Sequence, residues 1–148
     1  MFSLKDPARA PLFERLVDEQ PKSPDEFQPL RTFSIKGVLA SVRREVGRLL
    51  NTRCPSPAHF VDAQEPTVID YGIPDFSTFY PQSYEDGQRL TRLIVKAVSA
   101  FEPRLQEVRA TVEEVLDNQM ALRVRIDAVL VVEFVKEVVS FPVVVRRD

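Results

Sequence analysis

Residues 122–130, LRVRIDAVL, alternate apolar side chains with mostly charged ones, and this period of two is typical of a β-strand with one buried face. A second alternating stretch precedes it around residues 108–112. A third, valine-rich run extends over residues 131–145 and is interrupted near Glu137. Because valine favours strands, this part of the chain predicts an antiparallel sheet of three strands, or four if Thr67–Tyr71 pairs with them.

Two long helices precede the predicted strands. Over Ser34–Asn51 the apolar side chains recur at helical spacing, and the serine at its start is suited to cap the helix. A second apolar stripe covers Ser83–Phe101, where the first serine and Asp86 resemble a capping box and Pro103 ends the helix. Since each helix has one apolar face, we expect an α+β fold in which the two helices cover one face of the sheet.

The front of the chain differs from the rest. Residues 1–33 are rich in proline and hold one short apolar cluster, LFERLV at residues 12–17, preceded by Pro11, which suits a first helical turn. A helix of about two turns does not persist alone and must dock on the rest of the chain or on a partner. We therefore expect an N-terminal arm with a short helix at residues 1–33 and a single α+β domain at residues 34–148.

Composition excludes several classes of function. The chain has 148 residues and a net charge of −2, enough for one domain with a core but without a field that attracts nucleic acid. A single cysteine, Cys54, and a single histidine, His59, are too few for a histidine–cysteine zinc site. No stretch approaches the roughly 18 apolar residues of a membrane-spanning helix. We expect a cytoplasmic protein with no catalytic residues, cofactor, metal, nucleic-acid partner or membrane insertion.

The last strand is expected at an edge of the sheet. Its two predicted faces carry Phe141, Val143 and Val145 on one side and Pro142, Val144 and Arg146 on the other. Because proline has no N–H to donate, the strand either lies at an edge or begins at that proline. An apolar edge at a chain end invites a partner strand, which makes the stretch from Phe141 through Val143, Val144 and Val145 a predicted strand-addition site. The alternative is that the N-terminal segment of the chain covers this edge.

Three arginines of the first long helix form a second predicted site. Arg43, Arg44 and Arg48 lie largely off the apolar stripe and gather toward the end of the helix, where they also suit the helix dipole. They form either a solvated helix face or a docking patch for an acidic partner.

Four motifs follow one another along the chain: LFERL at residues 12–16, SVRREVGRLLNTR at 41–53, VIDYGIPDF at 68–76 and FEPRL at 101–105. Together, and in this order, they are similar to the TssE family of type VI secretion baseplate subunits. The longest motif resembles that family's S-(I/V)-R-R-(D/E)-L-x-x-L-L-N-T-R helix. Gly47 stands where the family usually has a larger residue, a departure that costs up to about 1 kcal/mol of helix propensity.

The resemblance implies a small α+β protein related to a phage-tail baseplate wedge component. It implies partners TssF, TssG and TssK in the baseplate, and a role in starting the contractile sheath of TssB and TssC by offering strands that sheath subunits extend. It also implies a position beneath the inner membrane, in the cytoplasm of a Gram-negative bacterium.

The resemblance further implies that Glu102, Pro103 and Arg104 contact the wedge partners. We assign the arginine patch of the first helix to the same predicted contact. From the residues alone, a structural role explains the triplet equally well. Pro103 ends the helix, and Arg104 offsets the charge of Glu102 near the helix C-terminus.

Two other functions remain as alternatives. Some relatives carry a lysozyme label, but a muramidase needs a general acid and a second carboxylate about 5–10 Å away. Glu113 and Glu114 are neighbours on a predicted strand and are expected to point to opposite faces. A regulatory binding module of the anti-adaptor type would use the same strand edge or arginine face, and its partners would distinguish it.

Overall fold

The computed structural model describes residues 8–9, 16, 21–22, 32–55, 65–80, 83–116, 120–133 and 135–147. Its elements in chain order are β1 (Ala8–Arg9), β2 (Thr32–Phe33), α1 (Ile35–Leu50), a 3-10 turn (Val68–Asp70), α2 (Tyr84–Phe101), β3 (Leu105–Leu116), β4 (Ala121–Val132) and β5 (Val135–Arg146). The expected α+β class is confirmed.

The chain divides into two compact units, Met1–Ser41 and Val42–Asp148. In the first unit β1 and β2 form a short antiparallel pair. The second unit contains the three long strands. The predicted short helix at residues 12–17 lies outside the described residues except for Leu16, which is helical and exposed. The division into an arm at 1–33 and a domain at 34–148 stays a prediction.

Both helices begin where the sequence predicts. The Ser34 hydroxyl accepts a backbone N–H of the first turn of α1 at 3.2 Å, and the Ser83 hydroxyl accepts the Asp86 N–H at 3.4 Å. In a capping box the Asp86 carboxylate would in turn accept the Ser83 N–H. Here it accepts the N–H of Tyr80 instead, at 2.9 Å. Serine caps therefore fix the start of each helix, and α2 is also tied to the chain that precedes it.

The sheet is antiparallel with the strand order β3-β4-β5. Between β4 and β5 the register is uninterrupted from the pair 121/146 to the pair 132/135. The hairpin therefore turns directly after Val132, where Glu133 has a φ of 50°. The predicted interruption near Glu137 is wrong: this residue is paired within β5, and its side chain is exposed, so its charge does not break the strand.

Strand β3 is less regular than β4 and β5. Its pairing with β4 shifts between Gln106 and Arg109 and again between Val112 and Glu114. Within the first shift, Glu107 has a φ of 53°, a conformation uncommon for residues other than glycine. Each shift adds an unpaired residue, which bends the strand and increases its twist.

Alternate residues of β4 form the centre of the core. The side chains that the sequence predicts to face inward are all buried: Leu122, Val124, Ile126, Ala128 and Leu130. The apolar stripes of the two helices are buried as well, and α2 packs against β3. Burial of these stripes together with one face of the sheet is what holds the layers together.

The segment predicted as a possible fourth strand forms a 3-10 turn at Val68–Asp70. Val68 is 89% exposed and Ile69 59% exposed, so these β-branched side chains have no core to pack against. The Asp70 carboxylate accepts the Thr67 N–H at 2.8 Å, which stabilises the turn. The residues that follow return to the core, where Ile73 and Phe76 are fully buried.

Candidate interaction surfaces

The last strand, β5, has one buried and one exposed face, as the sequence predicts. Phe141, Val143 and Val145 are at most 7% exposed, whereas Val144 is 45% exposed. Among the described strands β5 pairs with β4 alone, so it is an outer strand of the sheet. Its apolar side chains stabilise the core, and it offers a partner its exposed face and its outward backbone groups.

A side chain at the end of α1 holds the C-terminal end of this outward edge. The Asn51 amide nitrogen donates to the Val144 carbonyl at 2.9 Å, and its amide oxygen accepts the Arg146 N–H at 3.0 Å. The same nitrogen donates to the Gly47 carbonyl at 2.8 Å, which fixes the side chain to its own helix. A residue in a parallel neighbouring strand bonds the residues before and after its partner in this way, so Asn51 replaces one residue of such a strand.

The Asn51 bonds identify which groups of β5 point outward. Backbone groups of successive strand residues point to opposite sides, and the register with β4 is uninterrupted. Every second residue counted back from Arg146 therefore faces the free edge: Val144, Pro142, Ser140, Val138 and Lys136. Because Pro142 belongs to this set, its missing N–H costs the sheet no hydrogen bond with β4.

The segment after α1 is paired with the turn that follows residue 71. The Cys54 N–H donates to the Ile73 carbonyl at 2.9 Å, and the Ile73 N–H donates to the Thr52 carbonyl at 3.0 Å. Gly72 has a φ of 111°, and a Cβ at this position would collide with the Thr52 carbonyl. Both the backbone conformation and the close approach therefore require glycine.

Two arginines attach the end of β5 to these segments. The Arg53 guanidinium donates to the Arg146 carbonyl and lies 5.0 Å from the centre of the Phe76 ring. Arg147 donates to two backbone carbonyls of residues 77–79, at 2.5 and 2.7 Å. We call the three side chains that hold the end of β5 the clamp: Asn51, Arg53 and Arg147.

Sequence reasoning did not predict the clamp. Asn51 and its partners on β5 are 93 and 95 positions apart, and periodicity reports neighbours along the chain rather than contacts of this range. The available signal was the pair of motifs NTR at 51–53 and YGIPDF at 71–76, which the structure brings together.

The Glu102-Pro103-Arg104 triplet lies where α2 ends and β3 begins. The Glu102 carboxylate receives two bonds from the Arg104 guanidinium, each 2.6 Å long, and the two side chains are 5% and 21% exposed. The Arg104 carbonyl accepts the Val131 N–H at 2.8 Å, which anchors the triplet to β4. Glu102 therefore orients Arg104, and a partner can reach Pro103 and the exposed part of Arg104.

The predicted arginine patch lies on the exposed face of α1. Arg43 is exposed and lies 5.5 Å from the centre of the Phe141 ring, so it joins this helix to the buried face of β5. Arg48 forms an ion pair with Glu45 at 2.8 Å, and Arg44 is exposed. The structure thus brings one arginine of the patch into contact with the predicted strand-addition site.

The exposed face of β4 carries a row of ion pairs. Arg123 pairs with Glu114 at 2.7 Å, and Arg125 pairs with Glu113 at 3.0 Å. The expectation that the two glutamates point to opposite faces is wrong. The register shift before Glu114 adds a residue to β3, and both carboxylates reach arginines of one face.

The same face links β4 to β5 through Asp127. The Ser140 hydroxyl donates to its carboxylate at 2.6 Å, and the Arg125 guanidinium donates at 3.1 Å. These groups hold the pKa of Asp127 below its ordinary value, the Ser140 hydrogen bond more than the arginine. The side chain of Ser140 thus stabilises an ion-pair network while its backbone faces the free edge.

In the part of the chain that the structure describes, no group of three or more histidine, cysteine, aspartate or glutamate side chains is placed to hold a metal ion. No helix in those ranges has both the length and the apolar character needed to cross a membrane.

A model of the family described as "Baseplate wedge protein gp25" matches residues 36–133, about two thirds of the chain. The chain belongs to this gp25 family. The match covers α1, α2, β3 and β4 and confirms the resemblance to TssE, whose family this is.

A solved structure supports the fold of this gp25-family chain. A chain of "The baseplate complex from the type VI secretion system" superposes with a TM-score of 0.53 and 21% sequence identity, covering 75% of this chain and 96% of that one. At this identity the likeness shows a common fold. A search of curated proteins found no match.

Proposed function

We propose that this gp25-family chain is the wedge subunit of a type VI secretion baseplate and that it starts assembly of the TssB/TssC sheath by accepting a strand at β5. The observation that carries the proposal is an outer strand with an unbroken register to its neighbour. Among the residues that the structure describes, the outward backbone groups of Lys136, Val138, Ser140 and Pro142 bond no other strand. A row of that kind pairs with an extended segment of another chain. The role places the protein in the cytoplasm, at the baseplate beneath the inner membrane of a Gram-negative bacterium.

The wedge contact of this proposal involves TssF, TssG and TssK and uses the Glu102-Pro103-Arg104 triplet. Glu102 holds the Arg104 guanidinium in a fixed orientation through two hydrogen bonds. A fixed guanidinium loses less conformational freedom when it binds a partner than a mobile one does. Pro103 adds a rigid, exposed surface next to it.

The arginine patch is proposed as a second part of the wedge contact. Arg43, Arg44 and Arg48 present their charges on one exposed helix face. Such a face attracts an acidic partner surface and makes association sensitive to salt.

The proposed role involves no catalysis. The two glutamates that a glycosidase hypothesis would use, Glu113 and Glu114, are each bonded to an arginine on an exposed sheet face. The two carboxyl groups of a glycosidase flank the bond that is cleaved, whereas each of these carboxylates is already bonded to an arginine.

The sheath proposal is tested by removing the chain from cells that assemble a fluorescent sheath. We expect sheath assembly to stop and to return when the chain is supplied again. Baseplates that lack the chain and still start sheaths at the normal frequency would contradict the proposal.

The wedge contact is tested separately with the double variant Glu102→Gln, Arg104→Gln. Changing both partners avoids leaving an unpaired buried charge, so the fold should be retained. We expect recovery of the baseplate subunits with the tagged chain to fall at least about fivefold. Unchanged recovery from a folded variant would show that the triplet acts within the fold alone.

A further inference from the structure

The two outer strands of the sheet differ in what they offer a partner. The pairing of β3 is interrupted twice, and Glu107 in the first interruption has a positive φ. Interruptions of this kind break the even spacing of backbone groups that a further strand needs. Strand β5 keeps its register along its whole length. The sheet is therefore suited to extension on one side.

The regular edge of β5 also has a defined end. Asn51 occupies the outward carbonyl of Val144 and the outward N–H of Arg146, and Arg53 occupies the Arg146 carbonyl. One position earlier in the outward set, Pro142 has no N–H to offer. The Asn51 bonds and the missing N–H of Pro142 thus both mark the end of the backbone groups that β5 offers to a partner strand.

We propose that Asn51 is a stop that fixes where a partner strand pairs with β5. The partner is an extended protein segment that bonds the outward groups of Lys136–Pro142, which we call the docking edge, and that does not reach the Val144 carbonyl. This inference rests on the proposed function, since it names the part of β5 that strand addition uses. It assigns Asn51 a positioning role through backbone atoms rather than through a side-chain pocket.

The docking edge has the properties that such pairing needs. It offers a partner the N–H and carbonyl groups of Lys136, Val138 and Ser140 and the carbonyl of Pro142. The side chain of Val138 is 82% exposed, which provides an apolar contact for a cross-strand neighbour. The pattern of the Asn51 bonds shows that this edge already accepts strand-like partners at its other end.

A stop sets the register of the added strand. An edge without a fixed end can pair with a partner strand in several registers. A shift of one residue between registers turns all side chains of the added strand to the opposite face, so a fixed end selects one arrangement. Removing the Asn51 amide would free the Val144 carbonyl and the Arg146 N–H, and a partner strand could then continue past Pro142.

The inference is tested by amide hydrogen exchange, measured by NMR on the full chain, for the wild type and the variants Asn51→Ala and Asn51→Asp. Aspartate keeps an oxygen that accepts the Arg146 N–H, whereas alanine removes it. We expect the Arg146 amide to exchange slowly in the wild type and in Asn51→Asp, and at least about tenfold faster in Asn51→Ala. The Val138 and Ser140 amides should exchange fast in all three.

Two results with the isolated chain would overturn the inference. Slow exchange at Val138 and Ser140 would show that the chain covers its own docking edge. An Arg146 amide that stays slow in a folded Asn51→Ala variant would show that Asn51 does not hold this end of the strand.

The same measurement in the presence of the purified TssB/TssC heterodimer separates this inference from the proposed function. We expect Val138 and Ser140 to slow at least about tenfold in every form, and Arg146 to slow as well in Asn51→Ala alone. If Val138 and Ser140 slow but Arg146 of Asn51→Ala stays fast, the stop is refuted and strand addition is supported. If the heterodimer slows no amide of β5, strand addition itself fails, and the stop with it.

Discussion

Gly72 lies at a position that requires glycine. Its φ of 111° and its contact with the Thr52 carbonyl both exclude a side chain, and the segment on the other side of that contact carries Arg53. Gly47, by contrast, has open space where a Cβ would be. Replacing these two glycines is therefore expected to change stability in opposite directions, although both lie in motifs shared with the TssE family.

Replacing Gly72 with alanine is expected to lower the free energy of unfolding by more than about 1 kcal/mol, because the new side chain strains the turn. Gly47→Ala is the matched control and should raise it by about 0.5–1 kcal/mol through helix propensity. Urea denaturation of both variants measures the difference. Equal midpoints would contradict the role assigned to Gly72.

Asp127 makes stability depend on pH at the acid end. Its pKa in the folded chain is lowered by the Ser140 hydroxyl and by Arg125, so the carboxylate stabilises the fold above the ordinary pKa of about 4. This contribution disappears as the pH falls through the lower folded pKa. We expect the difference in unfolding free energy between the wild type and Asp127→Asn to shrink as the pH is lowered below about 4.

The control for this prediction is Ser140→Ala, which removes the largest cause of the shift. In that variant the Asp127 pKa, followed by NMR of the carboxyl carbon, should move up toward its ordinary value. A carboxyl that titrates alike in the wild type and in Ser140→Ala would rule out the hydroxyl as the cause.

Among the elements, β5 combines two tasks on alternate residues. Its odd-numbered side chains from Val139 to Val145 are buried, and its even-numbered residues turn their backbone groups to the free edge. A change on one set should therefore affect stability, and a change on the other should affect binding.

Val145→Asp is expected to unfold the chain, because the new carboxylate would be buried without a partner. We expect the free energy of unfolding to fall by more than about 4 kcal/mol. Val144→Asp, one position away on the exposed face, should change stability by less than about 1 kcal/mol. Thermal melts followed by circular dichroism compare the two. Similar melting temperatures would mean that the assigned faces of β5 are wrong.

The helices and β4 were predictable because each has a single, unbroken apolar period. The caps at Ser34 and Ser83 were equally predictable, since capping depends on residues three positions apart. The alternation of β5 was also correct, and it placed Val144 on the exposed face.

Other features depend on contacts that local patterns do not encode. The β-branched residues Val68 and Ile69 favour a strand by propensity, but Asp70 and Thr67 bond within a turn that overrides it. No residue type marks the register shifts in β3, so the sequence does not show that Glu113 and Glu114 lie on the same face of the sheet. The clamp joins residues 68 to 95 positions apart.

On the scale of the whole sheet, the Glu102-Pro103-Arg104 triplet and the Asn51 stop lie at opposite ends of β4. The Glu102–Arg104 pair is anchored near the hairpin end, through Val131, and the Asn51 bonds lie at the end marked by Arg146. The docking edge runs between them along β5. A subunit of this layout can bind the wedge and receive a sheath strand at the same time, because the two tasks use different groups.

The central claim is that β5 receives a partner strand through its backbone. The most direct measurement counts sheath assembly events in cells that carry Ser140→Pro or Ser140→Ala. Both variants lose the hydroxyl that bonds Asp127, but the proline also removes an outward N–H while leaving the bonds to β4 intact.

We expect Ser140→Ala to start sheaths at close to the wild-type frequency and Ser140→Pro to start them at least about tenfold less often, with equal recovery of wedge subunits in both. Sheaths that form as often with proline as with alanine at position 140 would contradict the account.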